Sequence, residues 1–411
     1  MSLLSHFLRR LVHRGELTVT NADGSVERFG APEAGFPTVA IRFTDRGVTG
    51  AIARNPQLAA GEAFMDGRMV LEQGDILALL RLILHNAPWE GGGAVEVDIS
   101  NPLLRLVDRS RAALGRMNWE RRSKQNVAHH YDLSDDLYAL FLDADRQYSC
   151  AYFTDPGNSL EQAQADKKAH IAAKLNLKPG NRVLDIGCGW GGMALYLARA
   201  VEGVSVLGIT LSEEQLKVAR RRAEEAGLAD RVRFELRDYR RVEERFDRIV
   251  SVGMFEHVGP PNYLTFFRKC REILADDGAM LLHTIGRLGL PGQTDPWTRK
   301  YIFPGGYCPS LSEIVSASEK AHLIATDVEN LRLHYAYTIQ HWYDRATANR
   351  AAIVALYDER FFRMWQFYLA GSLVAFEAAE MCNYQIQYAR RRTALPITRD
   401  YMAQAEARLP R

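Results

Sequence analysis

Apolar and polar positions follow two periods along this chain, and the switch between them divides it. Leu4, Phe7, Leu8, Leu11 and Val12 recur at helical spacing, with Arg9, Arg10, His13 and Arg14 on the other positions. That spacing predicts an amphipathic cationic helix. Its apolar face has two outlets, docking onto its own domain, which is the default, or contact with an anionic bilayer. From about 15 to 98, strand-like runs (Leu17-Thr18-Val19-Thr20, then 38–43) alternate with a helix over 75–85, which predicts a small α+β domain. Residues 86–93 end in consecutive glycines and read as an exit, and the polar stretch 99–124 reads as a linker helix. From Asn126 onward, strand and helix periods alternate. Strands are predicted at 182–187, 204–210, 231–236, 246–253 and 278–285, with helices at 191–200, 212–226 and 260–274. Such alternation is the signature of a parallel sheet covered on both faces. A Gly/Pro-rich insert follows, through Leu290-Pro291-Gly292 and Phe303-Pro304-Gly305-Gly306. Then come a strand near 323–331, two long helices at 335–349 and 351–373, and a last strand at 382–388. The expected organisation is an N-terminal domain over 1–98, a linker, a larger α/β domain over 125–395 and a tail over 396–411.

Composition narrows the picture only slightly. With 47% apolar and 25% charged residues over 411 positions, a sizeable core is available and two or three domains are expected. The net charge of +2 hides basic clusters at 121–124, 220–222, 240–241 and 390–392, which are solvated helix faces or a match for an anionic partner. The five cysteines form no C-x-x-C pair, which argues for a reducing compartment and against structural zinc. His129 and His130 are not spaced with other ligand types, so no metal is expected. The run 76–84 is broken by Arg81 and is too short to span a bilayer, and the charged start does not fit a signal peptide. A soluble or peripheral protein is expected.

The chemistry is concentrated in Val183-Leu184-Asp185-Ile186-Gly187-Cys188-Gly189-Trp190-Gly191-Gly192, which reads as strand, tight turn and helix start. Glycines let the backbone approach a ligand where a Cβ would collide, and the following helix offers unpaired N–H groups. A nucleotide-like cofactor is expected here. Gly187, Gly189 and Gly192 also satisfy G-x-G-x-x-G, which on its own admits a dinucleotide. Against that stands the missing acid about 20 residues past the loop that would hold a ribose diol. The second strand ends instead in Gly208-Ile209-Thr210. Asp185, two residues before the first glycine, resembles the loop of S-adenosylmethionine-dependent methyltransferases.

Further segments accompany this loop in order: His130-Tyr131-Asp132-Leu133, Gln147-Tyr148-Ser149-Cys150-Ala151-Tyr152, Thr210-Leu211-Ser212 with Gln215, Gly253-Met254-Phe255-Glu256-His257-Val258-Gly259, Leu282-His283-Thr284-Ile285-Gly286 and Tyr301-Ile302-Phe303-Pro304-Gly305-Gly306. Together they resemble the cyclopropane-fatty-acyl-phospholipid synthase family, which includes the mycolic acid cyclopropane synthases, densely over about 120–390. The resemblance implies a Rossmann-like, seven-stranded class I methyltransferase fold, α/β in class, behind the small α+β domain. It implies transfer of the methyl of S-adenosyl-L-methionine to a cis double bond of a phospholipid acyl chain, giving a cyclopropane. By the same resemblance Tyr148, Ser149, Val183, Asp185, Gly187, Cys188, Gly189, Gly191, Thr210, Leu211, Gln215, Asp238 and Tyr239 line the cofactor. Thr210 and Gln215 then replace the missing acid at the ribose. Cys150, Glu256, His283, Ile285 and Tyr343 surround a bicarbonate ion, with Glu256, His283, Tyr343 and Cys150 as the catalytic set.

That implied chemistry suits these residue types. An alkene is a weak nucleophile and depends on close alignment with the sulfonium. Ring closure then needs a base at the transferred methyl, and a gripped anion serves where a side-chain carboxylate would pair with the sulfonium. For Glu256 to bond bicarbonate, one partner must carry a proton. Tyr152, Phe255, Tyr301 and Phe303 offer π faces to the cation. On residue type alone, Cys150 is equally a small buried hydrophobe, His283 the partner of a backbone carbonyl, and Tyr343 a core residue. Where many family members carry a helix cysteine this chain has Ser372, so a covalent route is not expected. The implied partners are unsaturated phospholipid acyl chains, not nucleic acid; a homodimer stays open. The implied location is cytoplasmic, at the inner face of the membrane. Rivals are a fatty-acyl methyltransferase giving a branched methyl or methylene product, and a lipid-binding protein without turnover.

Overall fold

The structure, a computed structural model, is described for residues 2–92 and 134–411. The expected linker and the His130-Tyr131-Asp132-Leu133 segment lie outside the described residues. The chain forms two compact units.

The first unit comprises 1–114, 294–304 and 339–381, as far as these are described. It holds a four-stranded sheet built from β1 (Gly15–Thr20), β2 (Val26–Ala31), β3 (Thr38–Phe43) and β4 (Met69–Gln73), in the order β2-β1-β3-β4. Strand β1 runs antiparallel to β2 and parallel to β3, and β3 runs antiparallel to β4. The edge strand β2 is largely exposed and β4 is half-buried at one end only, so both lack the alternation that marks β1 and β3 in the sequence. The first helix, Leu3–Leu11, buries Leu4, Leu8, Leu11 and the adjoining Val12 within this unit, which is the docked outcome for its apolar face. Helices Pro56–Met65 and Ile76–His85 pack on Glu359–Ala378. The Trp297 indole donates to Met65 Sδ at 3.2 Å and lies where a Cβ at Gly61 would sit. Arg81 pairs with Glu377 at 2.7 Å on the same interface. The unit is therefore discontinuous, in contrast to the expected 1–98 domain, because apolar faces far apart in sequence are buried on each other. The helix expected over 351–373 is two, Arg350–Leu356 and Glu359–Ala378. Tyr357 closes the first, its N–H donating to Ile353 O, and Asp358 caps the second, accepting from Phe361 N.

The second unit holds a seven-stranded sheet in the order β10-β11-β9-β8-β5-β6-β7. Its strands are β5 (Arg182–Ile186), β6 (Ser205–Thr210), β7 (Val232–Leu236), β8 (Phe246–Val252), β9 (Leu274–Arg287), β10 (Ile324–Asn330) and β11 (Met381–Ala389). The pairs β5–β6, β6–β7, β5–β8 and β8–β9 are parallel, and β10 runs antiparallel to β11. The continuous burial of 183–186 fits a strand covered on both faces. The chain leaves β5 toward β6 and later returns on its other side as β8. The carboxyl ends of these strands therefore form the switch point where open α/β sheets bind ligands. Ser159 and Ser212 cap the helices Leu160–Lys174 and Glu213–Glu225.

Residues 396–411, expected as a tail, are packed in the second unit. Helix Asp400–Glu406 packs on Leu160–Lys174, Glu406 bonds His170 Nδ1 at 2.9 Å, and Arg411 pairs with Asp166 at 3.0 Å. Helix Leu160–Lys174 itself has no apolar stripe. Asp166, Lys167, His170 and Lys174 are buried in it alongside its alanines, so the usual period gives no signal.

Candidate active site

A cleft opens at the carboxyl ends of β5, β6 and β8, enclosing about 1190 Å³ of unfilled space, its mouth included. Of the residues expected at the cofactor, Tyr148, Ser149, Asp185, Gly187, Cys188, Gly189, Thr210, Leu211, Gln215, Asp238 and Tyr239 line it. The turn after β5 has Gly187 at φ 82° and Gly189 at φ 53°, both in the left-handed region. A Cβ at Gly189 would meet nothing within 4 Å, so its absence leaves a cradle. Thr210 Oγ1 donates to Gln215 Oε1 at 3.1 Å, joining the end of β6 to the next helix start. Asp238 is buried, which alone would raise its pKa, but its bonds to Arg240 hold it below the usual range.

Val183 and Gly191 do not line the cleft. Val183 is wholly buried with Ile171, Val206 and Val250, two residues deeper than Asp185 on the same face of β5. Gly191 caps the next helix at φ 83°, and a Cβ there would strike the Phe234 ring at 2.6 Å. Its reason is packing. Conversely, Gln147, Met254, His257 and Asn262 line the cleft without having been expected at the cofactor. Two of these adjoin Glu256 within two residues, which was the available signal.

Asp185 carries the clearest sign of a ligand. Its carboxyl is buried, Oδ2 has no partner, and burial pushes its pKa up to about 7, with Lys167 opposing. A buried acceptor without a donor is costly unless something supplies one. Lys167, also fully buried, donates to Gln147 Oε1 at 2.7 Å and Ser149 Oγ at 2.9 Å. It lies within electrostatic reach of Asp185, Cys150 and His283. That shared reach gathers the second half of the site.

Glu256 sits on the turn after β8, its Oε1 accepting from Ile285 N on β9 at 2.5 Å. Its Oε2 is buried without a partner, and desolvation raises the carboxyl to about 7. His283, two residues before Ile285, has Asn383 Nδ2 at 2.9 Å from Nε2 and Gln385 Nε2 at 3.1 Å from Nδ1. A neutral imidazole has one donor and one acceptor, so one of these amides must present its oxygen. Burial holds the ring well below its ordinary pKa, hence neutral. Cys150 donates to Ala151 O at 3.3 Å, and burial raises its thiol far above the physiological range. It is no nucleophile.

Tyr343 behaves differently. It belongs to the first unit, where its hydroxyl donates to Asp75 Oδ2 at 3.1 Å and accepts from Gln366 Nε2 at 3.3 Å. On the same helix the second unit carries His334 to Thr338. His334 Nδ1 accepts from Phe153 N at 2.9 Å, and Thr338 Oγ1 accepts from Ala151 N at 3.0 Å. Tyr335, three residues before Thr338, shares the face that meets the Cys150 segment and is buried. Sequence reasoning did not single out Tyr335; the bonds of Phe153 and Ala151 to His334 and Thr338 bring its turn of the helix to the 151–153 segment. Ser372 lies on helix Glu359–Ala378 of the first unit.

The chain matches a family model described as mycolic acid cyclopropane synthetase over residues 119–386, and a domain of unknown function over 3–88. It is 37% identical over 380 residues to a probable fatty acid methyltransferase of Pseudomonas putida, covering 89% of this chain and 92% of the relative. It is 41% identical over 341 residues to the cyclopropane-fatty-acyl-phospholipid synthase of Escherichia coli K12, covering 82% of this chain and 85% of the relative. Among solved structures, the mycolic acid cyclopropane synthase CmaA1 complexed with SAH and CTAB aligns with a TM-score of 0.60 at 34% identity, over 64% of this chain and 97% of that one.

Proposed function

The chain belongs to the mycolic acid cyclopropane synthetase family and is an S-adenosylmethionine-dependent methyltransferase, and we propose that it cyclopropanates cis-unsaturated phospholipid acyl chains. The observation that carries this is the pair of buried, half-empty carboxyls at neighbouring strand ends, Asp185 in the cofactor cleft and Glu256 beside β9.

Bound S-adenosylmethionine would supply an electrophilic methyl for the olefin's π pair, the C–S electron pair leaving with S-adenosylhomocysteine, and ring closure would then need a proton removed from that methyl. The chain's residues do the rest. The glycine cradle and the Asp185 carboxyl hold the donor, and Gln147, Tyr148 and Ser149 wall it in. Bicarbonate would supply the base for the departing proton. Of the expected set, Glu256 fits such an anion, since a carboxyl raised to about 7 retains a proton to offer it from the unpartnered oxygen. Of the other expected members, the Cys150 thiol donates to Ala151 O and the Ile285 N–H to Glu256 Oε1, so each would have to be shared with the anion. The hydroxyl expected of Tyr343 falls to Tyr335, which the second unit carries. His283 acts through its ring orientation, both nitrogens being engaged on β11.

Phospholipid at the inner membrane face is the proposed substrate location. Among the described residues no helix is long and apolar enough to cross a membrane.

Incubation with unsaturated phospholipid vesicles and S-adenosylmethionine, followed by mass spectrometry, tests the reading. The expected product gains one CH₂ and resists mild hydrogenation. A product that keeps an olefin, or carries a saturated methyl branch, transfers the chain to the branched-product reading favoured by its likeness to a fatty acid methyltransferase. No release of S-adenosylhomocysteine would leave only lipid binding. Tyr335→Phe should lower turnover, while Tyr343→Phe should cost about 1 kcal/mol of stability with turnover retained; the reverse pattern restores Tyr343 to the site.

A further inference from the structure

Lys167 is a fully buried amine with which no carboxylate among the described residues forms an ion pair, Asp143 and Asp145 acting on it only from beyond salt-bridge distance. Burial lowers its pKa to about 7, and a methionine would fill the same volume without that penalty. Such a cost calls for a use. One turn earlier on the same helix face, Gln164 Nε2 donates to the carbonyls of Gln147 and Ser149 at 3.2 and 3.0 Å. The backbone of this cleft wall is thus already fixed without the lysine. Lys167 instead addresses the side chains of the same two residues, both of which line the cleft.

An ammonium has three donors and no acceptor, so it dictates how its partners are oriented. Gln147 must turn its oxygen to Lys167, and its Nε2 then reaches Asp145 Oδ2 at 3.1 Å. Ser149 must accept through a lone pair, which leaves its own O–H proton to be given elsewhere. We propose that Lys167 is a positioning residue for S-adenosylmethionine, turning the Ser149 hydroxyl outward as a donor to the carboxylate of the methionine moiety while locking the Gln147 amide beside it. A neutral residue at 167 leaves the serine proton free to turn inward, and the cofactor's anionic group loses a preset donor.

The inference rests on the cofactor assignment, which calorimetry of the unaltered protein with S-adenosylhomocysteine tests separately. Lys167→Met, Ser149→Ala and the double variant are then compared by calorimetry with S-adenosylhomocysteine and by steady-state turnover on unsaturated vesicles. Each single variant should weaken S-adenosylhomocysteine, and raise KM for S-adenosylmethionine, by about tenfold, the loss of one hydrogen bond to a charged group. Values of kcat should stay within about twofold, since the bond is made equally in ground and transition states. The double variant should be no weaker than the weaker single, because the lysine acts through the serine. Unchanged affinity in Lys167→Met, or losses that multiply in the double variant, overturn the proposal. If Lys167→Met fails to give a cooperative thermal melt, Ser149→Ala decides: a tenfold loss supports the proposal and unchanged affinity overturns it.

Discussion

The second unit contains two clusters of buried ionisable groups, and they are completed to different degrees. Around His170 every charge has an answer. Its ring nitrogens meet Glu329 at 2.8 Å and Glu406 at 2.9 Å, and Lys174 also bonds Glu329. The ring is stacked on Tyr152 at 4.0 Å, which in turn stacks on His334 at 4.8 Å. Burial would raise Glu329, yet His170 and Lys174 bring it down to about 2. Around the cleft, by contrast, Asp185 Oδ2 and Glu256 Oε2 are buried without partners, and both carboxyls are driven up to about 7 by the same desolvation. Closed networks of this kind hold a fold together; open ones mark where a ligand must supply the missing half.

Three substitutions bear on that contrast. The largest effect is expected from Glu256→Gln, which should lower turnover by at least about 100-fold while S-adenosylhomocysteine affinity stays near normal. Release of S-adenosylhomocysteine and calorimetry report the two quantities, and equal loss of both would return Glu256 to a structural role. Next comes His170→Ala, which should destabilise the unit by about 2 kcal/mol in urea unfolding, because it removes one of two cationic partners from each of Glu329 and Glu406. Burial alone would lower His170, but its bonds to Glu329 and Glu406 raise it above 6.5. Its charge-linked contribution is therefore fully present below pH 6.5 and lost as pH rises through the folded value, so the gap between wild type and variant should narrow in alkaline buffer to what the stacked, buried ring contributes by packing. Cofactor affinity should not change; if it falls with stability, the two clusters are not separate.

The smallest effect is expected from Asp185→Asn. The folded carboxyl titrates near 7 against 3.8 unfolded, so its penalty is absent below 3.8, grows between them and is complete above about 7. The variant should melt a few degrees higher than wild type at pH 8 but not at pH 4, and bind S-adenosylhomocysteine more weakly. A lower melt at pH 8 would mean that Asp185 already has a partner and that the contrast with His170 is false.

Several features were legible without coordinates. The apolar run 183–186 ending in glycines could only be a central strand feeding a tight turn and a helix, since local sterics and backbone hydrogen bonding decide such a junction. Strands β5 to β9 and the helices between them follow from period alone. The same holds for the placement of Asp185 and Glu256 at strand ends, whereas His283, expected at a strand end, is level with the end of β8 but inside β9, which continues to Arg287.

What period cannot report is a polar side chain that points inward. Lys167, His170 and Lys174 look like the wet face of an ordinary helix, and only the elements packed against them turn that face into an interior. The choice between Tyr335 and Tyr343 was likewise beyond the sequence. Both lie on one helix, and what each turn of it meets is set by segments more than a hundred residues away: Ala151 and Phe153 bond Thr338 and His334 around Tyr335, and Asp75 bonds Tyr343. The sequence by itself determined where the backbone would bend to admit a ligand. Tertiary structure alone decided which buried charges would be neutralised by the protein and which were left for the ligand, because that balance depends on neighbours brought together only by folding.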